Sequence, residues 1–137
     1  TQNGDRIKFH LNASDAEIRQ LMGECCLFVT ASHYEAFALT TIEGMAAGLI
    51  PIASDIDCFR SVIDQAGLGL TTDFSDPQRA GRQIADFIGS IAPNYRELRV
   101  KAMTAAKAYD WTSVASRTTS VYEQILATRA ASRTRAV

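Results

Sequence analysis

Two apolar runs constrain this chain more than anything else in it: Cys26-Leu27-Phe28-Val29-Thr30 and Ile50-Pro51-Ile52-Ala53-Ser54, with residues 31–49 between them. Each is short, continuous and rich in β-branched or aromatic residues, as expected of a strand buried on both faces. The stretch between them has helical features and is far too long for a hairpin, so the strands are predicted to run parallel. A third run, Leu68-Gly69-Leu70-Thr71, follows a helical segment over 59–65. Upstream, Ile7-Lys8-Phe9-His10 is predicted as a short strand, and Ser14-x-x-Glu17 as the capping box opening a helix through about Gly23. The expected fold is therefore α/β, a parallel sheet with helices on both faces and with Leu27, Val29, Ile50 and Ile52 buried.

After Asp73-Phe74-Ser75-Asp76-Pro77 the pattern becomes wholly helical. Pro77 suits a first helical position, and Ile84, Phe87, Ile88 and Ile91 recur at helical spacing. Pro93 breaks that run, and a second helix is predicted over 94–109. Asp110 or Thr112 then starts a third, carrying Val114, Val121, Tyr122, Ile125 and Leu126. Trp111 is read as an apolar anchor between the last two helices.

Glu35 and Glu43, separated by seven residues, lie between the first two strands. Thr40-x-x-Glu43 has the form of a capping box, and Gly48 is placed to end the helix after Met45-Ala46-Ala47. Glu35 then falls in the strand-to-helix loop and Glu43 in the first helical turn, at the carboxyl edge of the sheet where ligands bind in open α/β folds. The start of the helix offers N–H groups suited to a phosphate, and the flanking carboxylates suit sugar hydroxyls. The competing reading makes Glu43 half of a cap and Glu35 a solvated surface residue.

Residues 30–54 resemble the donor-binding segment of the retaining glycosyltransferases of two-Rossmann-domain type, in the large group 4 family marked by two glutamates with seven residues between them. The likeness covers Ala31-Ser32, Phe37, Leu39, the run Glu43-Gly44-Met45-Ala46-Ala47-Gly48, and the strand that follows. The chain departs from the family at Ala36 and Ala38, where glycines are usual, and at Asp57-Cys58, where a glycine pair is usual. Ser54-Asp55-Ile56-Asp57-Cys58-Phe59-Arg60 looks most like the bacterial exopolysaccharide mannosyltransferases of this family. The resemblance implies a Rossmann-like domain followed by helices. It further implies transfer of a hexose, mannose in the narrower match, from a nucleoside diphosphate sugar to a glycan or polyprenyl-linked acceptor.

In that picture Glu35 is the catalytic residue, binding donor-sugar hydroxyls, while backbone groups of Phe37, Ala38 and Leu39 approach sugar and diphosphate. Thr40 closes on phosphate, Glu43 holds the ribose, and the loop at His10, Leu11 and Asn12 borders the base. No cofactor and no metal are expected. Residues 1–127 would form the later part of a nucleotide-sugar-binding domain, preceded in the family by a strand, a helix, basic phosphate-binding residues and an acceptor-binding domain. The start at Thr1 without methionine is consistent with a fragment, inactive alone. A sugar-nucleotide epimerase of the same architecture, a glycoside hydrolase and a noncatalytic flavodoxin-like module are the rival readings.

The 137 residues, 47% hydrophobic with a net charge of −1, suit one domain with a real core and give no sign of a nucleic-acid partner. The chain has no run of about eighteen apolar residues, and Thr1 to Arg6 lack a signal-peptide core, so the expected location is cytoplasmic. Cys25, Cys26 and Cys58 are read as buried free thiols. His33 is read as a packed or surface histidine. Asp55-x-Asp57 is read as a pair of caps and turn formers rather than as metal ligands. Residues 128–137, with Arg129, Arg133 and Arg135, form a basic solvated tail, with contact to the inner face of a membrane as its alternative.

Overall fold

The computed structural model describes residues 6–134, with side chains described through Arg129. Three strands, β1 (Leu27–Thr30), β2 (Ile50–Ser54) and β3 (Leu70–Thr72), form a parallel sheet in the order β1-β2-β3. Leu27 pairs with Ile50 and Thr30 with Ala53; on the other side Ile52 pairs with Leu70 and Ser54 with Thr72. The helices are α1 (Asp15–Glu24), α2 (Leu39–Ala46), α3 (Asp57–Ala66), α4 (Pro77–Ile91), α5 (Tyr95–Ala106) and α6 (Trp111–Thr134). A parallel sheet flanked by helices and followed by a helical run is the architecture expected.

The local signals act as predicted at several points. Ser14 and Glu17 close a reciprocal capping box at the start of α1. Pro77 enters the first turn of α4, with Asp76 capping through Arg79 N–H at 3.0 Å. Asp110 accepts from Ser113 N–H at 2.6 Å and begins α6. Gly48 ends the turn after α2 with φ +88°, a conformation that a side chain resists.

β2 is buried throughout, and Phe59, Met45, Ile50 and Ile52 are the largest fully enclosed apolar side chains. α2 lies against β1 and β2, and Gly44 lets the helix approach β1 closely: a Cβ there would sit 3.0 Å from the Phe28 ring. The helical run closes over this layer, with α5 packed on both α2 and α3. Arg99 of α5 reaches the Ala47 carbonyl, and Lys101 donates to the Gly67 carbonyl. These cations sit at the carboxyl ends of α2 and α3, where the helix dipole favours positive charge.

Several expectations are corrected. Residues 7–10 form no strand: Ile7, Phe9 and Leu11 are exposed, and the segment pairs with none of the three strands. A strand is stable only beside a hydrogen-bonding neighbour, whatever its sequence. Val29 is 54% exposed and Leu27 only half-buried, because β1 is an edge strand of the described sheet. Trp111 is 86% exposed at the start of α6 and anchors nothing, since α6 runs away from the core and leaves Val121, Tyr122, Ile125 and Leu126 in solvent. The thiols are free, but Cys25 and Cys26 are exposed, lying past the end of α1 and before β1. Residues 1–5 and 135–137, including Arg135, lie outside the described residues.

Candidate functional site

The chain leaves β1 at the carboxyl edge of the sheet and enters α2 after the eight-residue loop 31–38. Glu35 is half-buried in this loop, and Phe37 packs edge-on against Tyr109, ring centroids 6.3 Å apart. Tyr109 in turn donates to Gln65 of α3 at 2.7 Å, so the loop is braced from two elements. The burial that holds Tyr109 also pushes its phenol pKa up, keeping the hydroxyl a donor.

α2 starts one residue before Thr40, not after it. Leu39 N–H donates to the Phe37 carbonyl at 2.8 Å, Ala38 is the N-cap, and no side chain caps the helix. The expected capping box between Thr40 and Glu43 is therefore absent: the turn at Phe37 begins the helix early and places Thr40 inside it. Two consequences follow. The N–H groups of the first turn are left without a side-chain partner, as an anion requires. Glu43, exposed in the second turn, has no capping duty.

Among non-glycine described residues only Asn12 has positive φ, so neither Ala36 nor Ala38 sits in the left-handed region that favours glycine, although the family usually has glycine at both. Ala38, at φ −75° and ψ 46°, is the centre of the tight turn that Leu39 N–H closes on the Phe37 carbonyl. Ala38 is fully buried, Leu39 is 55% exposed and Thr40 is exposed. The structure thus brings Glu35, Phe37, Ala38, Leu39, Thr40 and Glu43 together on one loop and the helix it opens. His10 and Leu11 lie on the exposed segment before α1, and Leu11 is 87% exposed.

The pair Asp55 and Asp57 does not cap α3, whose N-cap is Ile56. Arg60 instead binds both carboxylates, and Asp55 more than Asp57 holds the guanidinium in its charged form. No group of three or more His, Cys, Asp or Glu side chains among the described residues is arranged to hold a metal ion. His33 is exposed and lies near Asp73.

Residues missed in the sequence also line this sheet edge. Ser32, Ser54, Thr72, Asp73 and Ser75 surround a cavity with His33 and Asp55. One signal could have found them: all three parallel strands must end on one side, so the residues just after each strand are neighbours.

Residues 1–108 match the glycosyl transferases group 1 family. The chain belongs to that family. It is 34% identical over 122 residues to the GDP-mannose:cellobiosyl-diphosphopolyprenol alpha-mannosyltransferase of Komagataeibacter xylinus, covering 89% of this chain and 31% of that protein. It is 36% identical over 94 residues to the phosphatidyl-myo-inositol mannosyltransferase of Mycobacterium tuberculosis, covering 66% of this chain and 25% of that protein. No solved structure gives a significant match. The chain therefore spans less than a third of the length of either relative.

Proposed function

We propose that the full-length protein is a retaining hexosyltransferase that moves mannose from a nucleoside diphosphate sugar to a glycan or polyprenyl-linked acceptor, and that this chain supplies the donor side. The observation that carries the reading is the uncapped start of α2 immediately after the braced loop bearing Glu35. N–H groups aimed from the first helical turn stabilise the charge that grows on a leaving diphosphate. Glu35 accepts hydrogen bonds from hydroxyls of the donor sugar, and the backbone at Phe37, Ala38 and Leu39 lies along sugar and diphosphate. Thr40 closes on phosphate, Glu43 on the ribose, and His10 and Leu11 border the base.

The donor is a substrate, and the reaction proceeds without a metal ion. Arg60 already engages both Asp55 and Asp57, the one Asp-x-Asp pair in the sequence. Mannose is favoured because both of these relatives are named as mannosyltransferases, one for a diphosphopolyprenol-linked sugar and one for a phosphatidylinositol. Acceptors of that kind place the work at a membrane surface, and no described helix is long and apolar enough to cross one. Full-length protein incubated with a panel of nucleotide sugars tests the reading. Slow hydrolysis of GDP-mannose, and transfer to a polyprenyl diphosphate saccharide, is the expected result. Failure to bind, hydrolyse or transfer from any nucleotide sugar would overturn it.

A further inference from the structure

Thr41, in the first turn of α2, is fully buried, and its hydroxyl oxygen has no hydrogen-bond partner among the described residues. A buried hydroxyl left in this state lowers stability, and a valine of the same shape would avoid the loss. Water does not reach the oxygen, so an acceptor has to come from the protein around it. In a helix a threonine hydroxyl reaches the carbonyls three and four residues back, which for Thr41 belong to Ala38 and Phe37. The Ala38 carbonyl accepts from Ile42 N–H at 3.0 Å, as a regular helix requires. The Phe37 carbonyl departs from the helical pattern and accepts from Leu39 N–H, two residues on, at 2.8 Å.

That bond has a second effect. Leu39 N–H is one of the donors that a helix start offers to an anion, and here a carbonyl of the chain itself occupies it. The same carbonyl is thus withheld from the buried hydroxyl and set against a donor of the anion site. A turn of the peptide between Phe37 and Ala38 removes both defects together: an oxyanion accepts from Leu39 N–H, and the Phe37 carbonyl accepts from the Thr41 hydroxyl. Only this peptide has to move, because α5 holds α2 from Leu39 onward and the Phe37 ring rests on Tyr109. The turn is complete on binding, before charge develops on a leaving group, so the N–H groups of α2 do not reorient during the reaction.

We propose that Thr41 is a positioning residue whose hydroxyl takes over the Phe37 carbonyl when an anion occupies the start of α2. That the anion is the donor diphosphate rests on the transferase reading above, whereas the exchange itself does not. The buried hydroxyl gains its partner only in the occupied state, so it favours binding of a ligand that it never touches.

The test uses full-length protein, Thr41→Val and Thr41→Ser. Labelling phenylalanine carbonyls with carbon-13 and alanine nitrogens with nitrogen-15 singles out the 37–38 peptide by NMR, since Phe37 alone among the six phenylalanines of this chain precedes an alanine. Loss of the signal in Phe37→Leu assigns it. Saturation with inorganic pyrophosphate, or with GDP, should shift this signal in the unaltered protein. Thr41→Val should melt at the same temperature as the unaltered protein or higher, yet bind each anion about tenfold more weakly, and Thr41→Ser should restore the affinity. If the protein turns over no nucleotide sugar but pyrophosphate gives this pattern, the exchange stands and only the transferase reading falls. Intact turnover of GDP-mannose, with the Phe37 signal unmoved or with Thr41→Val binding both anions as well as the unaltered protein, overturns the exchange alone. A lower melting temperature in Thr41→Val also overturns it, because the hydroxyl would then have a partner in the free protein. A protein that binds neither anion and turns over no nucleotide sugar overturns both.

Discussion

Replacing Glu43 with glutamine in the full-length protein separates a ligand contact from a structural role. The stability effect follows from the position of the residue. Glu43 is exposed, has no capping partner, and is the fifth residue of the eight-residue helix Leu39–Ala46. Midway along so short a helix its interactions with the two dipole ends nearly cancel, and loss of the charge should change stability by less than about 0.5 kcal/mol. If the carboxylate accepts from ribose hydroxyls, the neutral isostere loses a charge-assisted bond worth about 1.5–3 kcal/mol. That corresponds to a rise in donor Kd of roughly 10- to 150-fold. Calorimetric titration with GDP-mannose measures the affinity, and a thermal melt of the same preparation measures stability. An unchanged Kd with an unchanged melt would refute the reasoning, and so would an affinity loss that merely tracks a large drop in Tm. Glu35→Gln should differ from Glu43→Gln by lowering kcat more than donor affinity, because its contact tightens as positive charge develops on the sugar ring.

Three further outcomes follow from the fold. Gly48→Ala forces a side chain into φ +88° and puts its Cβ 2.7 Å from Arg99 Cγ; a loss of about 1–3 kcal/mol in urea unfolding is expected, and a neutral result would contradict the geometry. Phe59→Ala empties a fully buried position and should cost about 3–5 kcal/mol by the same measurement, a loss under ~1.5 kcal/mol counting against a packed core there. Ser14 hydrogen bonds hold the Glu17 carboxyl below its ordinary 4.5, so the stabilisation they give is present above that pH and lost as pH falls through the depressed value. Ser14→Ala keeps the backbone N–H that contributes most and removes only the hydroxyl, so the Glu17 NMR titration midpoint should rise part of the way toward 4.5, and an unmoved midpoint would remove the Ser14 hydroxyl as a cause.

What the sequence disclosed about this molecule was local, and what it hid was relational. The capping box at Ser14, the proline entering α4 and the start of α6 at Asp110 depend on atoms within one turn, and each formed as its pattern required. β2 was legible because it is covered on both faces and so is apolar at almost every position. β1 has nearly the same composition, but whether Val29 is buried depends on a neighbour beyond the edge of the sheet. Ile7 to His10 and Trp111 fail for the same reason: apolar character indicates what a residue can bury, not whether anything lies against it. The start of α2 misled in a different way. Thr40-x-x-Glu43 has the composition of a capping box, and only the hydrogen bond from Leu39 to Phe37 shows that the helix has already begun. The same error concealed the useful fact, an uncapped helix start beside Glu35.

The helices after Pro77 belong to the site even though none of its candidate residues lies on them. A helix start can hold an anion only if the helix stays still when the charge arrives, and α2, with eight residues, is too short to be stable by itself. α5 supplies the constraint. It packs along α2, its Arg99 lies against Gly48 and reaches the Ala47 carbonyl, and its Lys101 holds the end of α3. Tyr109, in the turn that follows α5, braces Phe37 in the loop and ties that contact to Gln65. The loop, the N–H groups of α2 and the end of β2 are thereby fixed to one another from behind. Electrostatic stabilisation of a leaving group depends on such prior fixing, because dipoles that must reorient during the reaction give much of their effect back. A glycine at position 48 is then required twice, for the turn that ends α2 and for the room in which Arg99 lies across it.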